Sequence, residues 1–210
     1  GVMTHAGHSY GGRTLDDIRR IAEGERAGAV RAAARLRDAG FACRMVSVGS
    51  TPTALHGGDF SGVTEVRPGV YMFGDLFQSE IGTHGPDDIA LTVLASVIGR
   101  RPAADRMVID AGGLALSKDR STEAAPVDYG FGLVLDASGR RAWGHALVVR
   151  AYQEHGVVAF EPGRMPTLAI GEHVRVAPNH TCMTAAAHDR YHVVDGGDEV
   201  VAVWERVNGW

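Results

Sequence analysis

Apolar residues change their spacing near residue 85. In the first part, Ile18, Ile21, Ala22, Ala29 and Leu36 recur at helical intervals on a polar background between Leu15 and Ala39, which predicts an amphipathic helix. Thr14 precedes that stretch, Asp16 and Asp17 fall in its first turn, and Gly40 follows it. These are a capped start and a glycine stop. Short apolar runs flank the helix, one at residues 1–5 before a glycine-rich turn (AGHSYGG) and one at 42–48. Strand, helix and strand in that order predict a parallel crossover unit.

After Pro86 the helical period gives way to short runs broken by Gly, Pro and Asp. They are IALTVLASVIG, RMVIDAG, YGFGLVLD, HALVVRAY, GVVAFE, HVRVAP, DRYHVVDG and EVVAVWERV. Such runs predict a sandwich or distorted barrel. The expected organisation is α/β over residues 1–85 and a mostly antiparallel β domain over 86–210. No internal repeat, coiled coil or low-complexity tract interrupts it.

Composition narrows the function classes. A net charge of −4 without a basic cluster or an aromatic-interleaved basic stripe argues against nucleic acid as a partner. No apolar run reaches the roughly 18 to 20 residues of a membrane-spanning helix. The two cysteines, Cys43 and Cys182, could pair in principle. Cys43 lies in a strand-like run and Cys182 is better explained as a thiolate ligand, so a reducing, cytoplasmic setting is expected.

Candidate chemistry is concentrated in Pro178-Asn179-His180-Thr181-Cys182. In an extended run, alternation sends His180 and Cys182 to one face, roughly 6.5 to 7 Å apart at their Cα atoms, with Thr181 on the other. Imidazole nitrogen and thiolate sulfur both suit zinc, and two ligands leave coordination positions open. On spacing alone the same residues describe a surface histidine beside a buried thiol. In VSVGSTPT a strand delivers Gly49, Ser50 and Thr51 into a turn where backbone and hydroxyls can meet an anion, and Pro52 can begin a short helix. By itself GST before Pro is an ordinary turn. His5, His8 and Tyr10 follow the first strand, at the end where parallel barrels place functional groups. His188 has the strand parity of Cys182 and is a possible third or supporting ligand, although Asp189 to Tyr191 read as a turn. His155, in QEHG, reads as a loop histidine.

Four separated motifs occur in an order that resembles one family. They are GVMTHAGHSYGG with VSVGSTPT, EVRPGVYMFGD at 65–75, VIDAGGLALSKD at 108–119 with QEHG, and PNHTCMTAAAHDRYHVVDGG. They resemble the C-terminal portion of the D-threonine aldolase and D-serine dehydratase family, pyridoxal-phosphate enzymes built on an alanine-racemase-like (β/α)8 barrel plus a β domain. The resemblance implies cofactor contacts from His5, Tyr10, Gly49, Ser50, Thr51, Tyr71 and Asp75, and a divalent metal, zinc or manganese, on His180 and Cys182. It also implies a D-amino acid substrate and a homodimer. One departure stands out, since relatives commonly carry a basic residue near Leu114.

A full (β/α)8 barrel takes roughly 250 residues, so a chain of 210 residues cannot hold one together with a β domain. The chain is therefore read as a C-terminal piece, inactive in isolation. Lys118 is its sole lysine and sits in a loop-like stretch, whereas the family's Schiff-base lysine is expected upstream of Gly1. The implied activity is a metal-assisted, pyridoxal-phosphate-dependent lyase acting on β-hydroxy D-amino acids, either an aldolase or a dehydratase. HxC leans to the dehydratase and HxD to the aldolase. The competing readings are a non-catalytic metal-binding scaffold and a metal-independent amino-acid racemase.

Overall fold

The structure, a computed structural model, describes residues 1–207. The chain divides into two compact units, one formed by residues 1–72 with 81–85, the other by 73–80 with residues from 86 onward. The segment 73–80 thus belongs with the β-rich unit.

The first unit is a three-stranded parallel sheet of β1 (Val2–Met3), β2 (Val46–Val48) and β3 (Glu65–Val66) in that order. The crossover helix α1 (Leu15–Asp38) begins where its cap was expected, because the Thr14 hydroxyl accepts from the Asp17 amide at 3.1 Å. It stops in a Schellman motif. The Gly40 amide donates to the Arg37 carbonyl at 2.9 Å and the Phe41 amide to the Leu36 carbonyl at 3.0 Å, with Gly40 left-handed at φ 84°. Ile18, Ala22, Ala29 and Ala33 form the buried stripe, and Ala29 and Ala33 pack on Cys43, Val46 and Val48. Leu36, expected on that face, is 37% exposed, because the small alanines carry the contact instead. The expected strand over 42–48 shortens to 46–48, and Cys43 is buried in the connection before it. The short helix α2 (Thr51–His56) follows β2, with Pro52 in its first turn.

The second unit is a closed antiparallel barrel. Its strands are β4 (Val93–Arg101), β5 (Arg106–Ile109), β6 (Leu133–Leu135), β7 (Leu147–Ala151), β8 (Gly156–Ala159) and β9 (His173–Ala177), in the spatial order β4-β5-β8-β7-β6-β9. Sequence spacing leaves sandwich and barrel open, and the long strand β4 decides for the barrel. Its first half pairs with β9 and its second half with β5, across a register shift between Val97 and Gly99, so one strand closes the sheet on itself and no edge is left. Alternation sends Val93, Ala95 and Val97 inward and leaves Leu94 60% exposed. Met107, Ile109, Val134, Val148, Val158, Val174 and Val176 fill the interior.

Three short helices attach to the barrel, α3 (Leu76–Glu80), α4 (Gly113–Leu116) and α5 (Thr181–Ala186). A hairpin of β10 (Arg190–Val194) and β11 (Val200–Glu205) ends the described chain. Among the described residues no helix is long and apolar enough to cross a membrane.

Candidate functional site

The HxC segment is not a strand. Strand β9 ends at Ala177, Pro178 and Asn179 turn the chain, and Thr181 opens α5 with extended His180 as its N-cap. His180 and Cys182 are brought together all the same, close enough for Cys182 to act on the charge of the imidazole. The helix start does what strand alternation was expected to do. Thr181 faces inward, donating its amide to Asp75 at 2.9 Å and its hydroxyl to the Gly74 carbonyl at 2.8 Å. Cys182 is exposed, while the His180 side chain is 19% exposed.

Asp75 lies immediately before α3 and is fully buried. One carboxylate oxygen, Oδ1, accepts from the Gln78 amide at 2.7 Å, as a helix N-cap does. The other, Oδ2, accepts from the Thr181 amide and lies 3.0 Å from His180 Nδ1. The resemblance implies a cofactor contact from this residue; in the structure its carboxylate meets the imidazole of His180. A carboxylate accepts, so Nδ1 donates its N–H to Asp75 and Nε2 is the ring nitrogen left for another partner. Burial disfavours the charged imidazole. The hydrogen bonds and negative charges of Asp75 and Cys182 outweigh that effect and push the His180 pKa up to about 10.

Asn179 is 2% exposed and clamps the turn that carries the pair. Its amide donates to the Thr122 hydroxyl at 2.6 Å and to the Gly130 carbonyl at 2.8 Å. The Leu76 and Phe77 amides donate to the carbonyls of Pro178 and Asn179, each at 3.2 Å, which sets the start of α3 against the start of α5. Sequence reading assigned no role to Asn179 or Thr122. The signal available, an Asn before the histidine, does not differ from an ordinary turn.

Among the described residues no group of three or more His, Cys, Asp or Glu side chains is arranged to hold a metal. Helix α5 contains Cys182 and ends before His188, so strand parity does not apply, and the His188 Nε2 lies 3.0 Å from the Ala115 carbonyl. Asp189 to Tyr191, expected as a turn, runs into β10 at Arg190. His155 stacks on Tyr152 with ring centroids 4.6 Å apart. Lys118 follows α4 in the barrel unit, against Gly113. Leu114 is 61% exposed.

In the first unit the C-terminal ends of β1 and β2 lie together, with the Ala6 amide donating to the Gly49 carbonyl at 3.0 Å. Gly49 packs against Arg67, and an added Cβ would meet the Arg67 carbonyl oxygen at 2.9 Å, so close backbone packing already demands glycine there. Its amide donates to Glu25 Oε1 at 3.1 Å. The Ser50 hydroxyl is engaged with the hydroxyls of Ser9 and Thr53, at 3.0 and 2.8 Å. Thr51 differs, because it is 1% exposed and its hydroxyl has no hydrogen-bond partner among the described residues. A buried hydroxyl left unpaired is costly and fits a site completed by an anion. His5 is exposed, with its ring centroid 6.2 Å from that of Tyr10. Tyr71, in the turn after β3, is 53% exposed.

Residues 90–194 match the family model for a putative serine dehydratase domain, and residues 1–76 match that of the alanine racemase N-terminal domain. The whole chain aligns with D-threo-3-hydroxyaspartate dehydratase of Delftia sp. at 45% identity, over 56% of that protein. It aligns with D-serine dehydratase of Dictyostelium discoideum at 31% identity, over 54% of that protein. The chain spans about half the length of these relatives. Two structures of D-threo-3-hydroxyaspartate dehydratase variants superpose on the whole chain at 43% identity, with TM-scores of 0.91 and 0.90 over 56% and 55% of their length. In the first a cysteine is replaced by alanine and the enzyme is metal-free. In the second a histidine two positions earlier is replaced by alanine.

Proposed function

This chain belongs to the putative serine dehydratase domain family, and on that footing we propose that the whole protein is a pyridoxal-phosphate-dependent, metal-assisted dehydratase of β-hydroxy D-amino acids. The observation that carries the proposal is the His180–Cys182 pair at the start of α5, with Nδ1 of His180 occupied by Asp75. Its spacing is that of the histidine and cysteine replaced in the two dehydratase variants.

The donor set fits a borderline-soft ion. An imidazole nitrogen with a sulfur favours zinc over manganese, which prefers oxygen. The exposed thiol and two protein ligands leave positions for a substrate oxygen. Thr51, with Gly49 and Ser50, fits the phosphate of the cofactor, and His5, Tyr10 and Tyr71 belong to the same unit as that turn. When bound, the pyridoxal ring would supply an electron sink at the substrate's α-carbon and the metal a Lewis acid for its β-hydroxyl. The chain's own work is to occupy His180 Nδ1 with Asp75 so that Nε2 is the nitrogen left for the ion, to hold the turn through Asn179, and to present Cys182 to solvent. A racemase reading leaves the HxC pair without a use. The same proposal takes the protein as a cytoplasmic homodimer, which sedimentation of the full-length protein tests.

Full-length protein given D-serine, D-threonine or D-threo-3-hydroxyaspartate should release ammonia and the corresponding 2-oxoacid. Cys182→Ala should lower that rate by about 100-fold or more. Release of glycine and an aldehyde, or an undiminished rate in Cys182→Ala, would overturn the assignment.

A further inference from the structure

We propose that Asp75 is the positioning residue of the metal site, holding His180 in the single tautomer and ring orientation that leaves Nε2 to bind the ion. The inference rests on the reading of His180 and Cys182 as metal ligands. Capping α3 requires one oxygen, and Oδ1 serves it through the Gln78 amide. Oδ2 lies instead between the Thr181 amide, at 2.9 Å, and His180 Nδ1, at 3.0 Å. The carboxylate is fully buried, and the backbone bonds from Leu76 and Phe77 to Pro178 and Asn179 hold its segment against the start of α5. Ligating histidines commonly donate their second N–H to such a carboxylate, which sets the tautomer and raises the basicity of the ligating nitrogen.

The three bonds explain why aspartate is needed rather than its amide. An asparagine at 75 has one acceptor oxygen and one donor NH2. If the NH2 faces the imidazole it donates to Nδ1, and the ring proton moves to Nε2, where it blocks the ion. If the NH2 faces Gln78, two donors meet at the α3 cap. Either arrangement degrades the site without altering a ligand.

The test uses full-length protein, zinc(II) titrated against a competing chelator, and 15N spectra of histidine-labelled, zinc-loaded protein, with His180→Gln providing the assignment. Asp75→Asn should bind zinc about 10- to 100-fold more weakly than wild type. Wild-type affinity in Asp75→Asn overturns the inference. Should that variant fail to fold, the wild-type spectrum still decides, because a zinc-bound His180 protonated at Nε2 and ligating through Nδ1 contradicts the assigned role. Cys182→Ala separates the two readings. If it keeps wild-type zinc affinity, the metal reading fails and the inference with it. If it loses zinc while Asp75→Asn does not, Asp75 alone was misassigned.

Discussion

Thr51 and Gly49 lie in one turn and are constrained for different reasons. Gly49 answers to packing, since its position has no room for a Cβ against Arg67. Thr51 carries a buried hydroxyl with no partner among the described residues, so it stands out as the residue a ligand would complete. Thr51→Val preserves shape and removes the unpaired hydroxyl. Its melting temperature should equal or exceed that of wild type, by up to about 1 kcal/mol of stability, while pyridoxal-phosphate affinity of the full-length protein falls about tenfold. Calorimetry and a cofactor titration on the same sample check both halves, and unchanged affinity would remove Thr51 from the phosphate site. The motif GST was readable in the sequence. Which of its hydroxyls is left unpaired was not, because that depends on Ser9 and Thr53 reaching Ser50.

At the level of elements, caps and turns announce themselves and irregular segments do not. Thr14, Gly40 and the start of α2 follow from local chemistry that neighbouring residues complete. The turn between β6 and β7 is of the same local kind. Asp136 accepts from the Ser138 hydroxyl at 2.6 Å and from the Arg140 amide at 2.9 Å. Partial burial raises its pKa, and these bonds together with the Arg140 charge more than offset that, leaving it below the usual carboxylate range. A depressed folded-state pKa means that the stabilisation is present above about pH 4 and is lost as pH falls through the lowered value. Asp136→Asn should therefore cost about 1 kcal/mol at pH 7, with the difference from wild type shrinking toward zero near pH 2 in thermal melts. A constant difference across that range would show that charge is not the cause. Helix α5, by contrast, reads as strand in the sequence, where His180 and Cys182 share parity. Six residues of PNHTCM-type sequence support either conformation, and the choice was made by Asp75 and Gly74 taking the Thr181 amide and hydroxyl.

For the molecule as a whole, the one lysine of the chain lies in the barrel unit, just past α4 and against Gly113, whereas the cofactor residues expected from the sequence, Asp75 apart, lie in the α/β unit. When pyridoxal phosphate is added to the 210-residue chain and reduced with borohydride, mass spectrometry should find no stoichiometric adduct on Lys118. A full equivalent there would transfer the cofactor to the barrel unit and undo the assignment of the Gly49 turn. The sequence alone determined the class of each half, the capped crossover helix, and the histidine, cysteine and Gly-Ser-Thr motifs. Periodicity and caps are contacts between near neighbours, and motifs are a matter of composition at fixed spacing. Closure of the barrel through β4, the helical start at Thr181 and the union of Asp75 with His180 were decided only by tertiary structure. Each joins groups far apart in the chain, 105 residues in the last case, and no local pattern records which distant carboxylate will be buried against which imidazole.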